Sequence, residues 1–419
     1  MAGHRTGQIM EVCVIICNMS NQLQPFTPFI PSDDVIQHSG LADKALALTM
    51  EASKLAGKIN LITRKTIIEH MRVINSYYSN LIEGNNTHPS AIRAAQRGDF
   101  SSEPAKRDLQ QESLAHIRVQ DWIMAEGVDA DVICSPDFIL ALHRQFYQDL
   151  PPSLLAIKDK EGNVVDTLVA GVFRERDVEV GQHHAPDYQD VPTLMSDFCE
   201  IYHPDKRAGD RKLIAAMAAH HRFVWIHPFI DGNGRVGRLL TDTLLRSIGL
   251  ESEGVWCLSR GLAKRIAKYK SVLATADSVR QGDLDGRGAL SQSALVSFID
   301  FMLDTALDQV KYMEGLLQLD KMKERITAYV QARNDHRVEG VEQIKEVAAQ
   351  VLYHAFMEGS LSRSQALALT GMPGKSAQRL IAQLRQEGLL TETSHVSDLT
   401  WAIPEHAEKF YFPQLTPEI

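Results

Sequence analysis

The chain has 419 residues, 44% of them hydrophobic, and a formal net charge of -9. That length supports two or three domains around a substantial core, and the acidic balance excludes a general nucleic-acid or membrane coat. Five scattered cysteines (Cys13, Cys17, Cys134, Cys199 and Cys257) suit a reducing cytosol, and no apolar run approaches the ~18 residues of a membrane span, so a cytoplasmic protein with no membrane partner is expected.

From the N-terminus, Val12–Cys17 is too short for the apolar core of a secretion signal, and Met19 serves as well as Met1 for a translation start. Residues 1–44 are expected to be extended, with prolines at Pro25, Pro28 and Pro31. Residues 45–104 read as helices. Ile67, Met71, Ile74, Tyr78 and Leu81 trace one face, and Gly84-Asn85-Asn86 ends the helix after Ser79-Asn80-Leu81-Ile82-Glu83. Residues 105–311 alternate amphipathic helices with a single hairpin. The hairpin is marked by Gly171-Val172-Phe173-Arg174 and by Val178-Glu179-Val180-Gly181-Gln182-His183, where valines alternate beside glycine.

Within that stretch, Ile214, Met217, Ala218, Val224 and Trp225 fall on one helical face, and Pro228 with Asp231-Gly232-Asn233-Gly234 interrupts the helix. Val236, Leu239, Leu240, Leu244 and Ile248 restart the stripe, and Gly249 stops it. The glycines therefore precede a helix N-terminus, where free backbone N–H groups and the positive end of the macrodipole favour anions. Glycine lets that backbone approach phosphate closely. Arg235 and Arg238 share one face of the first turn and can fork onto outer phosphates. The Asp231 carboxylate suits a Mg²⁺ already held by phosphate oxygens, and His227 can take a proton at neutral pH. Phe229 is expected to plug the loop into the core. His220 and His221 read as packing or surface residues, because no second Cys or His cluster stands at ligand spacing.

Downstream, Gly282–Gly288 is a loop before an apolar helix over Leu295–Leu307, and residues 312–340 form a helical linker. Residues 341–419 read as a separate module. A first helix carries Ile344, Val347, Val351 and Leu352; a second starts at Leu361-Ser362-Arg363-Ser364; Gly371-Met372-Pro373-Gly374 makes a turn. A third helix carries Ser376, Arg379, Leu380, Leu384 and Arg385, and strands around Thr391-Glu392-Thr393-Ser394 make a wing with Trp401 packing underneath. This module resembles a winged helix–turn–helix, whose third helix would offer Lys375, Gln378 and Arg379 to DNA. The same fold also serves as a protein–protein element, and with few bases and Glu387 nearby both uses stay open.

The segment His227-Pro228-Phe229-Ile230-Asp231-Gly232-Asn233-Gly234-Arg235-Val236-Gly237-Arg238 resembles the Fic family signature H-P-F-x-D-G-N-G-R-x-x-R. The resemblance implies a mainly α fold, a helical core with one β-hairpin flap, and transfer of AMP from ATP with Mg²⁺ onto a hydroxyl of a protein target. His227 would be the base, Asp231 the metal ligand, and Gly232, Asn233, Gly234, Arg235 and Arg238 the phosphate site. Ser79–Gly84 looks like the family's inhibitory signature S/T-x-x-x-E-G/N, so Ser79, Glu83 and Gly84 form an inhibitory element in which Glu83 pairs with Arg238. The hairpin sits where the family's flap clamps its target, with Val178, Glu179, Val180 and Gly181 near the nucleotide. Tyr269 and Asp277 stand where the family shows an aromatic pair and an Asn by the adenosine. Here Lys270 replaces the second aromatic and Asp277 the Asn, which leaves the adenine and ribose contacts open, with packing in the core as the alternative for Tyr269. Removal of AMP by the same site and an ATP-sensing DNA-binding regulator remain alternatives. A phosphate or phosphocholine transferase is disfavoured by the intact Asp231–Arg235 stretch. The target, self-modification and a homodimer are left open.

Overall fold

The computed structural model describes residues 27–417 apart from 128, 159–161, 182, 251, 253, 393 and 395–396. The Val12–Cys17 stretch, both candidate start methionines, Cys13, Cys17, Pro25, Gln182 and Thr393 lie outside the described residues. The expected mainly helical fold is the observed one. No helix among the described residues is long and apolar enough to cross a membrane.

The N-terminal segment, expected to be extended to residue 44, is helical from Asp33 on. The chain is helical in α1 (Asp33–His38) and again from Leu41 in α2 (Leu41–Gly57). Pro28 and Pro31 precede these helices, Asp33 and Asp34 complement the dipole of the first turn, and Gly40 makes a left-handed hinge (φ 77°) between them. Leu41, Ala45, Leu48, Ala52 and Leu55 form the buried stripe of α2.

The spine of the molecule is α3 (Leu61–Ile82), capped by the Asn60 side chain, which accepts from the Ile62 N–H at 2.8 Å. It buries Ile67, Met71, Ile74, Tyr77, Tyr78 and Ile82, and with them Asn75, Ser76, Ser79 and Asn80. A helix buried on a polar side as well must satisfy those groups against its neighbours. The Ser76 hydroxyl, for instance, donates at 2.8 Å to the carbonyl of Ser113. That neighbour belongs to α5 (Pro104–Glu126), which follows the short α4 (Pro89–Gln96) and precedes α6 (Pro136–Tyr147).

Two hairpins stand where one was expected. β1 (Ala156–Lys158) and β2 (Val164–Thr167) pair antiparallel, as do β3 (Glu179–Val180) and β4 (His183–His184). The first escaped sequence reading because all four positions of β2 are exposed, leaving no alternation to see. Then come α7 (Val191–Tyr202), α8 (Asp210–Ile226), α9 (Asn233–Ser247), α10 (Leu258–Lys264), α11 (Ile266–Thr275), α12 (Gln292–Leu316) and α13 (Leu319–Asn334). Helices α8 and α9 approach closely at Gly237, where an added Cβ would stand 3.1 Å from the Phe223 ring.

The C-terminal stretch contains α14 (Ala348–Glu358), β5 (Ser360–Leu361), α15 (Arg363–Leu369), α16 (Gly374–Gln386), β6 (Leu390–Thr391), β7 (Leu399–Trp401) and α17 (Glu405–Tyr411). The three strands form an antiparallel sheet in the order β5-β7-β6. Leu361, expected at a helix start, lies in β5, and Ser362 caps α15 with a capping box to Gln365. Trp401 is buried and stacks on Tyr411 at 5.4 Å. This stretch is docked on α3 and α10. Thr63 donates to the Phe356 carbonyl at 2.6 Å, Tyr78 to that of Leu415 at 3.0 Å, and Arg260 to that of Gln414 at 2.9 Å. Glu408 on α17 is buried between His70 of α3 at 3.2 Å and Arg93 of α4 at 2.6 Å.

Candidate active site

The site is built where α8 ends and α9 begins. His227 terminates α8 with its backbone in the left-handed region (φ 52°), its N–H still reaching the Phe223 carbonyl at 3.1 Å. A non-glycine residue held there at the mouth of a loop is the kind of local strain that functional sites retain. The imidazole Nδ1 lies 3.1 Å from the Val224 carbonyl, so it carries the proton and leaves the Nε2 lone pair free. Burial pushes the His227 pKa down to about 4, against the opposing pull of the Val224 carbonyl, so the ring is neutral at pH 7.

The loop is braced from within. Asn233, 2% exposed, accepts from the Phe229 N–H at 2.9 Å and donates to the Phe229 carbonyl at 2.8 Å. Its side chain is therefore a staple across the loop. Phe229 is fully buried, as expected, and stacks on His143 at 3.9 Å. The Gly171 N–H donates to His143 Nδ1 at 2.8 Å, so Nε2 carries the proton toward the Asp231 carbonyl at 3.3 Å. Arg174, 4% exposed, ties the flap to the loop: its backbone N–H reaches the Pro228 carbonyl at 2.9 Å and its Nε the His227 carbonyl at 2.8 Å, while Nη2 reaches Pro186. Neither His143 nor Arg174 was named as a site residue from sequence. An isolated His or Arg far from the motif carries no local signal.

The two glycines have distinct steric reasons. At Gly232 (φ 85°) a Cβ would lie 2.3 Å from the Tyr147 hydroxyl, and at Gly234 one would lie 2.3 Å from Glu83 Oε1. The carboxylate of Asp231, on an exposed residue, accepts from the Gly232 N–H at 2.7 Å.

The arginines diverge. Arg238, 2% exposed, donates through Nε to Ser79 Oγ at 2.9 Å and through Nη2 to the Ser79 carbonyl at 2.9 Å and Glu83 Oε1 at 2.7 Å. Ser79, Glu83 and Arg238 are thus brought together, with Gly84 (φ 96°) turning the chain just after them. Burial raises the Glu83 pKa, but the Arg238 charge, with Arg235 behind it, outweighs this and holds the carboxyl below its usual range. Arg235, expected on the phosphates, instead pairs with Glu112 at 2.6 Å and donates to the Tyr147 hydroxyl at 2.7 Å.

The residues expected by the adenosine are engaged with neighbouring side chains. Tyr269 is 3% exposed and donates to His220 Nε2 at 2.8 Å, while His220 Nδ1 donates to Thr241 Oγ1 at 2.8 Å. That chain places the ring in the core. Asp277 accepts from His221 Nε2 at 2.9 Å and lies 3.7 Å from His183 of the flap. The flap residues Val178, Glu179, Val180 and Gly181 are anchored beside the loop because His183 Nε2 reaches the Trp225 carbonyl at 2.7 Å.

Burial drives the pKa of His116 and His220 down to about 3, and that of His143, His221 and His227 down to about 4. Their unfolded value is near 6.5, so between those limits the unfolded chain binds more protons and stability falls as pH falls. Each contributes a slope of at most about a kcal/mol per pH unit. Asp242, raised to about 6 by burial, opposes this between 6 and its unfolded 3.8. A clear drop in melting temperature from pH 7 to pH 5 is expected by calorimetry; a flat profile would mean that these rings ionise in the folded state.

Residues 133–245 match the Fic/DOC family. A protein adenylyltransferase Fic of Drosophila willistoni is 32% identical over 173 residues, covering 41% of this chain and 32% of that one. The same enzyme of Drosophila virilis is 31% identical over the same shares. The chain thus spans about a third of the length of these relatives. A crystal structure of a Fic family protein from Desulfovibrio desulfuricans G20 superposes with a TM-score of 0.51 at 20% identity, covering 86% of this chain and 96% of that one. The likeness to the Fic/DOC family is thus confined to residues 133–245, and the fold is that of Fic proteins.

Proposed function

We propose that this chain is a protein adenylyltransferase, moving AMP from ATP to a hydroxyl of a protein target, and that Glu83 restrains it. The carrying observation is His227: a neutral imidazole, oriented by Val224 and held at the mouth of a glycine cradle that opens a helix. It would take the proton of the attacking hydroxyl, whose oxygen forms a bond to the α-phosphorus as the bond to pyrophosphate breaks. The N–H groups at the start of α9 and the Arg238 guanidinium would face the outer phosphates.

Among the described residues no cluster of three His, Cys, Asp or Glu stands ready for a metal, but the chemistry of the cradle suits a shared one. The exposed Asp231 residue would hold Mg²⁺ together with phosphate oxygens, and the ion would neutralise charge on the departing pyrophosphate. Glu83 occupies the approach to Gly234 and engages Arg238, so it competes with a γ-phosphate for both. Incubating parent and Glu83→Gly chains with α-labelled ATP and lysate tests this. Incorporation is expected to rise by at least an order of magnitude on loss of Glu83, as when a competing charged contact of about 1.4 kcal/mol or more is removed. Equal labelling of the two would sink the restraint.

The Glu83 side chain is 33% exposed, which favours a second reading in which it orients water to remove AMP from a modified protein. Release of AMP from pre-labelled target by the parent, absent in Glu83→Gly, would select it. For the C-terminal stretch we propose a winged helix–turn–helix. Lys375, Gln378 and Arg379 are exposed on α16, whereas Arg363 and Arg385 both pair with Glu392. The small remaining basic surface favours a protein partner over DNA.

A further inference from the structure

The motif's first arginine is engaged by a carboxylate that lies far from it in sequence. Glu112, on α5, is 5% exposed and uses both oxygens: Oε1 lies 2.6 Å from Arg235 Nη2, and Oε2 accepts from Asn85 Nδ2 at 2.7 Å. The Arg235 guanidinium also donates to Tyr147 and lies over the Phe146 ring at 5.6 Å, so it is fixed on the α5–α6 side of the cradle.

Asn85 in turn shapes the chain immediately after Glu83. Its N–H reaches the Asn80 carbonyl at 3.0 Å, its Oδ1 accepts from the Thr87 N–H at 3.1 Å, and its Nδ2 also reaches the Leu109 carbonyl at 3.3 Å. Glu83 is the C-terminal cap of α3, two residues earlier, with φ -88° and ψ 0°. One buried carboxylate therefore spans two segments: the turn that aims Glu83, and the first turn of the helix whose N-terminus forms the cradle. A charged acceptor between an amide and a guanidinium fixes their separation more tightly than either contact would alone.

We infer that Glu112 is a positioning residue for the restraint: it holds the Glu83 turn and the cradle helix in one register, so that Glu83 Oε1 meets Arg238 and covers Gly234. The inference rests on reading the cradle as a nucleotide site. Glu112→Gln keeps the shape but cannot serve both partners as an anion, so the Glu83 turn loosens and a γ-phosphate is admitted more readily. Asn85→Ala removes the turn-side contact to Glu112, together with those to Thr87 and Leu109, and leaves the Arg235 pair intact; it is expected to act in the same direction.

The test is the ratio of ATP to ADP affinity, measured by calorimetry on the full chain. The ratio isolates the γ-phosphate from general damage to the site. In the parent background, Glu112→Gln is expected to raise the ratio roughly five- to tenfold, the size of a coupling between contacting groups. In the Glu83→Gly background it is expected to leave the ratio unchanged, because there is no restraint left to misplace. A ratio that stays put in both backgrounds, or moves equally in both, overturns the inference. If Glu112→Gln fails to fold, Asn85→Ala decides by the same criterion. Failure of Glu83→Gly to bind either nucleotide would overturn the nucleotide reading, and this assignment with it. Binding with an unmoved ratio overturns the role of Glu112 alone.

Discussion

In the Glu83→Gly background, His227→Asn is expected to lower AMP incorporation by about two to four orders of magnitude, the usual contribution of a positioned general base. Asparagine is the informative replacement. His227 sits at φ 52°, a conformation that asparagine tolerates and alanine resists, so backbone strain is not added to the loss of the base. ATP affinity should stay within a few fold, since no contact assigned to the phosphates is removed. Full incorporation by His227→Asn would exclude the imidazole as the base. Incorporation and ATP binding lost together would instead identify it as a support for the loop. The acid limb of the rate profile should also lie well below the ordinary histidine range, because burial holds this ring near 4. A base that stays unprotonated down to that value makes activity nearly flat through neutrality.

The largest expected stability effect comes from Glu408→Ala, at about 3–5 kcal/mol. Burial raises the pKa of this carboxyl, but the His70 contact and the Arg93 charge outweigh it and bring the value down to about 2. Its side chain is 5% exposed, with His70 at 6% and Arg93 at 14%. Truncating the acid strands a buried guanidinium beside a histidine without its anionic partner. Because Glu408 joins α17 to α3 and α4, unfolding in urea should show the C-terminal stretch loosening with α3. Faster amide exchange around Tyr78, whose hydroxyl reaches the Leu415 carbonyl, would report it. The sign with pH also follows. The folded pKa lies below the unfolded 4.5, so this contribution is complete above about 4.5 and is lost as pH falls toward 2. A cost below about 1 kcal/mol would show that the pair is solvated and that the C-terminal stretch is held by its apolar contacts alone.

Much of the site was legible because its chemistry is contiguous. The base, the turn glycines, the helix start after Asp231 and both arginines fall within His227–Arg238. The stripe of α3 and the Gly84 stop likewise placed Glu83 at a helix end, and the structure puts it 2.7 Å from Arg238. What was not legible has a common source. Arg235 suits phosphate by residue type and Asn233 by the family resemblance, but local pattern does not say what else is near. Glu112 and Tyr147 take the first, and the Phe229 backbone takes both ends of the second. The Tyr269 hydroxyl is likewise engaged by His220 in the core.

Local sequence by itself determined the helical architecture, the break between α8 and α9, and the chemical kit gathered at that break. These are short-range matters: periodicity, turn residues and backbone permissiveness act within a few residues of each other. Only the tertiary structure decided which donors are already spent. Arg238 is turned to Ser79 and Glu83, Arg235 to Glu112, and the C-terminal stretch is fastened to α3 through Glu408. A buried charge takes whichever opposite partner packing delivers, since leaving it unpaired costs more than almost any rearrangement of side chains. That pairing is a property of the packed core, and no stretch of chain encodes it alone.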